Sequence, residues 1–149
     1  MMTYTAQVKE KLNGILEKTY DAEKGFKKAA DNIDNKALKN YFSAKSFEKN
    51  TFGKELETEI TAGNKEVKKE GSLTGSAKST WMDTKALFSL DNEEFILEVA
   101  IKGEKTTVKE YEAIIKEPSL PTSTKSLLEA QKSKIENGLY NSKSLEPIC

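Results

Sequence analysis

Glu104 stands on an otherwise apolar line: Leu97, Ile101, Glu104, Val108, Tyr111, Ile115, in steps of 4, 3, 4, 3, 4. A carboxylate on such a line must be paired, hydrogen-bonded or protonated, because burying it bare in a helix seam is costly. An earlier stretch offers the partners. Leu38, Phe42, Phe52 and Leu56 set a second seam, and the same spacing carries Lys45, Lys49 and Glu59 onto its inward edge. Tyr20, Tyr41, Tyr111 and Gln131 can supply hydrogen bonds. Three roles follow for Glu104. It can belong to a buried polar network that fixes helix register, sit at a helix end open to water, or serve as a ligand or catalytic group. If the network is purely structural, Glu104→Leu is expected to preserve the fold.

The ligand role would need oxygen donors from several helices. Candidates on inward faces are Glu17 or Asp21 in the first helical segment, Glu55 or Glu59 in the second, Glu104, and Gln131 near the end. The sequence has no histidine. This excludes imidazole general bases, histidine-centred triads and every metal motif that uses an imidazole. Oxygen donors alone suit magnesium, calcium or manganese better than redox iron. The bland alternative is that most of the 24 Asp and Glu residues lie on solvated helix faces.

Other chemistry finds little support. The one cysteine, Cys149, cannot close a disulfide within the chain, although it can cross-link two chains. Gly71-Ser-Leu-Thr-Gly75 lacks the Gly-Lys-Ser/Thr ending and the preceding strand of a phosphate-binding loop. Lys24, Lys27 and Lys28, like Lys65, Lys68 and Lys69, are interspersed with glutamates and read as solvated faces. Lys+Arg and Asp+Glu are each 24, so the formal charge is zero and no basic nucleic-acid surface is indicated. Expected cofactors are none.

Helices must position these groups. In the first segment, from about 5 to 32, Val8, Leu12, Ile15, Thr19, Ala22, Phe26, Ala29 and Ile33 recur in alternating steps of 4 and 3. That is a bundle seam. Asn32-Ile33-Asp34-Asn35 is a turn. The second segment runs from about 35 to 62, with Tyr41, Phe47 and Ile60 beside its seam and Gly53 permitting close packing. Residues 63–90 carry Gly63, Gly71 and Gly75 and predict a crossing connection with one short helix near 76–88. Trp81 there is either a lid on one bundle end or a ligand-stacking ring. Asp91 with Glu94 makes a capping box for the next helix, which Pro118 and Pro121 end. The last segment, about 122–144, turns Leu128, Gln131, Ile135, Gly138 and Leu139 inward.

These pieces predict an all-α fold of two antiparallel hairpins joined by a long crossover, as one domain over 1–149 with its core at 5–144. An interval of this length can carry the chain along a bundle of about 35–40 Å at ~1.5 Å per helical residue. One long crossover is the topology of ferritin-like four-helix bundles. An up-down bundle with an extra helix is the simpler alternative.

Four stretches carry a likeness to a known family: YDAEKGFKKAAD at 20–31, LKNYFSAKSFEKNTFGKELETEI at 38–60, GSLTGSAKSTWMDTKALF at 71–88 and KGEKTTVKEYEAII at 102–115. The chain resembles the bacterial PA2169-type, ferritin-like four-helix-bundle proteins of the DUF2383 domain family, over about residues 5–142. The resemblance implies a ferritin-like bundle and an unassigned role, with a link to stress-associated bacterial proteins. Relatives commonly carry a histidine just before the tryptophan helix, where this chain has Ala77 and Lys78.

The expected function is that of a noncatalytic helical bundle acting through self- or protein association, with Phe47 or Tyr140 as anchors and a homodimer as the simplest assembly. The alternative is a carboxylate-ligated metal protein, related to di-iron ferritin-like proteins but without histidine ligands. A third possibility is a small-ligand pocket under Trp81. The opening MMTYTAQVKEKLNG has no basic-then-apolar leader, and no run of 18 apolar residues occurs, so the expectation is cytoplasmic, with no membrane span.

Overall fold

A computed structural model describes residues 4–63 and 93–142. Four helices form: α1 (Ala6–Asp31), α2 (Lys36–Gly63), α3 (Glu93–Ile115) and α4 (Thr122–Ser142). The described residues are an all-α four-helix bundle. The expected crossover helix, the Trp81 lid, the Asp91 N-cap and the tail through Cys149 lie outside them.

Local chemistry sets the helix ends. The Thr5 hydroxyl accepts the Val8 N–H at 3.1 Å and caps α1. Asn32 closes α1 by donating its backbone N–H to Lys28 and Ala29. Three residues later the Asn35 side chain accepts the Leu38 N–H at 3.0 Å and opens α2. Two asparagines thus turn the chain, with Ile33 buried between them. Pro118 and Pro121 flank the short connection from α3 to α4.

The α1 seam is buried at all eight expected positions, from Val8 to Ile33. It meets α2 in an opposed order. Tyr20 donates to Glu57, Asn50 donates to the Glu23 carboxylate at 3.1 Å, and Ser46 donates to the Glu23 carbonyl at 3.0 Å. Gly53 permits this approach, because a Cβ there would lie 2.5 Å from the Tyr20 ring. Between α3 and α4 the links are Tyr111 to Gln131 at 2.7 Å and Lys132 to Glu112 at 3.4 Å.

Two expectations are corrected. Phe47 is not beside the seam; it is 73% exposed. It lies two residues from both Lys45 and Lys49, about 200° around the helix at ~100° per residue, and those lysines take the inward face. On α3 the buried line is Ile96, Leu97, Ala100, Glu104, Tyr111 and Ile114. Ile101, Val108 and Ile115 are only partly buried. The helix turns its small residues, Ala100 and Gly103, inward together with Ile96, Leu97 and Ile114, and leaves Ile101, Val108 and Ile115 on the flank.

The apolar core falls into two clusters. One gathers Leu12, Leu16, Phe52, Leu56, Tyr111 and Leu128. The other gathers Phe26, Ala29, Leu38, Phe42, Leu97 and Ala100, with the Phe26 and Phe42 rings stacked at 5.9 Å. Along α2 the switch between clusters occurs after Phe42 and before Phe52. Along α3 it occurs after Ala100 and before Tyr111. The intervening positions hold Lys45, Lys49 and Glu104.

Candidate functional site

Lys45 and Lys49 are four residues apart on α2 and therefore share a face. Both are buried, at 6% and 2% exposure, and Glu104 opposite is 1% exposed. The Lys49 ammonium lies 2.8 Å from Glu104 Oε1, and the Lys45 ammonium 3.4 Å from Oε2. Lys45 also donates to Glu48 at 3.2 Å, towards the rim. Each lysine lies over an aromatic face: Lys45 is 6.0 Å from the Tyr41 centroid and Lys49 5.7 Å from that of Phe52. The fourth helix makes room. A Cβ on Gly138 would collide with the Lys45 ammonium. A group of charges thus spans α2 and α3 against a gap in α4.

Tyr41 borders this group. Its hydroxyl is buried without a hydrogen bond among the described residues, as is Glu104 Oε2. Burial pushes the Tyr41 phenol above its ordinary value, and the charges of Glu104 and Glu48 add to the effect.

A second buried relay runs beside it. Tyr111 donates to Gln131 Oε1 at 2.7 Å, and Gln131 Nε2 donates to Glu55 Oε1 at 3.0 Å and to the Phe52 carbonyl at 3.3 Å. Burial raises the Tyr111 phenol too; a hydrogen bond with Thr19 opposes this, while Glu104, Glu48 and Glu55 reinforce it.

The remaining candidates lie apart. Glu59 accepts from Ser123 and Thr124, each at 2.8 Å. Its carboxylate thus faces the first turn of α4, where a helix favours negative charge. Asp21 is partly buried; desolvation raises its carboxyl and Lys24 draws it back. Glu17 lines a surface cleft of about 440 Å³ along α1, with Lys9, Glu10 and Asn13. Of the expected ligands, Glu55 and Gln131 meet.

The expected partnership of Glu104 with Lys45 and Lys49 is present. Glu48 and Gly138 were missed as its companions. Spacing alone puts Glu48 beside the seam, and a glycine announces no contact until a neighbouring side chain fills its space. Tyr111 and Gln131 bond to each other rather than to Glu104.

A ferritin-like di-iron centre takes a glutamate from each of two helices and Glu-x-x-His from each of the other two. The residues present do not fit that group. Both oxygens of Glu104 face ammonium groups, Glu55 Oε1 accepts from an amide, and no imidazole exists in the chain. Among the described residues, no three His, Cys, Asp or Glu side chains form a group that could hold a metal ion. An ammonium held in an ion pair also has no lone pair with which to attack a substrate. No described helix is long and apolar enough to cross a membrane.

The model of one family, described as a domain of unknown function (DUF2383), matches residues 7–117, from α1 into the connection after α3. No curated protein and no solved structure matches the chain.

Proposed function

The chain belongs to the DUF2383 family, which is related to ferritin-like PA2169-type proteins of no known role, and on that premise we propose that it is a noncatalytic bundle protein acting through association. The carrying observation is how its functional groups are spent. The buried charges answer one another within the bundle, whereas Phe47 and Tyr140 are 73% and 74% exposed. Aromatic side chains displayed outward are the usual anchors of protein interfaces. The fuller reading is one cytoplasmic domain of two antiparallel hairpins joined by the expected long crossover at 63–90. It associates with a second copy, and bacterial stress physiology is the setting that the family likeness offers.

Sedimentation velocity across the micromolar range tests the association. Wild type is expected to form a dimer that Phe47→Ser shifts towards monomer with the helical circular-dichroism signal unchanged. A wild-type chain that stays monomeric throughout would contradict self-association. The alternative, a carboxylate-ligated metal protein, draws on the meeting of Glu55 and Gln131. It is weakened by the lysines against Glu104.

A further inference from the structure

The charged layer is balanced by its own members. Lys45 and Lys49 bring two positive charges; Glu104 and Glu48 bring two negative ones. A divalent ion entering this layer would leave it with uncompensated positive charge in a poorly solvated place. It would also need carboxylate oxygens at about 2.0–2.6 Å, where Lys49 stands 2.8 Å from Oε1 and Lys45 3.4 Å from Oε2. The fourth helix packs against Lys45. Its contribution there is Gly138, the one residue type that leaves the ammonium its space.

We infer that the ammonium groups of Lys45 and Lys49 are the resident cations of the bundle centre, and that they close it to divalent metal. The lysines do electrostatically what a bound ion would do: they hold a buried carboxylate of α3 against α2. The inference deepens the noncatalytic reading and rests on it, yet the two fail separately. Sedimentation can show a monomer while the centre remains closed, and ion binding can appear in a dimer.

The test compares wild type, Lys45→Met/Lys49→Met, and that double variant carrying Glu104→Gln, each melted with and without Mn(II), Co(II) or Zn(II). Ions that bind the native state alone raise its melting point. Wild type is expected to show no saturable binding at micromolar ion and no shift. The double variant is expected to show a saturable upward shift that Glu104→Gln abolishes. One ion per wild-type chain, lost in Glu104→Gln, would overturn the inference. So would a folded double variant as indifferent to the ions as wild type, or one whose shift survives Glu104→Gln. If the double variant does not fold, Lys49→Met alone uncovers Glu104 Oε1 and is read by the same criteria.

Discussion

Glu104, Lys45 and Lys49 were legible because each breaks an apolar pattern. A charge on a seam announces that something must answer it, and few charges in this chain were placed to do so. Their geometry revises one expectation. Glu104→Leu alone would not be benign, because it leaves the buried Lys49 ammonium without its carboxylate and Lys45 with Glu48 alone. Tyr111 carries a second consequence. It donates to Gln131 of α4, and burial raises its phenol above the ordinary value of 10.0, opposed by a hydrogen bond with Thr19 of α1 and reinforced by the charges of Glu104, Glu48 and Glu55. Below pH 10 the phenol is protonated in both folded and unfolded chains, so its contribution is fully present. As pH rises further the unfolded chain ionises first, and stability falls by about 1.4 kcal/mol per pH unit for such a group. Urea unfolding between pH 8 and 11 should therefore show a decline that sets in near pH 10 and that Tyr111→Phe makes shallower there, by up to about that slope. Equal slopes in the two proteins would show that this phenol ionises alike in both states.

Among the helices, α1 was readable throughout, because its seam keeps one spacing from Val8 to Ile33 without interruption. α2 and α3 were readable in outline only. On α2 an aromatic residue, Phe47, competes with two lysines for the interior, and composition favours the wrong one. On α3 two apolar lines run side by side, and the buried one is the line with Ala100 and Gly103. The two glycines at helix contacts should respond differently to substitution. Gly53 meets the ring of Tyr20, which cannot retreat easily. Gly138 meets the far end of a lysine. Gly53→Ala should lose roughly 1–3 kcal/mol through overpacking. Gly138→Ala should stay within about 1 kcal/mol of wild type, since the helix-propensity gain offsets the displaced ammonium. Chemical unfolding measures both, and a larger loss at Gly138 would mean that the seat of Lys45 is rigid.

In the whole molecule, the four long helices and their polar centre could be read from one sequence, while the division of the core into two apolar clusters could not. That division depends on which residues of separate helices reach the same level, and spacing within a helix carries no such information. The charged layer between the clusters joins α2 to α3, and its members neutralise one another. The most direct measurement is the unfolding free energy of wild type, Glu104→Gln and Lys45→Met/Lys49→Met/Glu104→Leu under one set of conditions. Glu104→Gln should lose about 3–5 kcal/mol, and the triple variant should return to within about 1 kcal/mol of wild type or exceed it. A harmless Glu104→Gln, or a triple variant as unstable as the single one, would contradict the assignment of this layer as a self-neutralised structural centre.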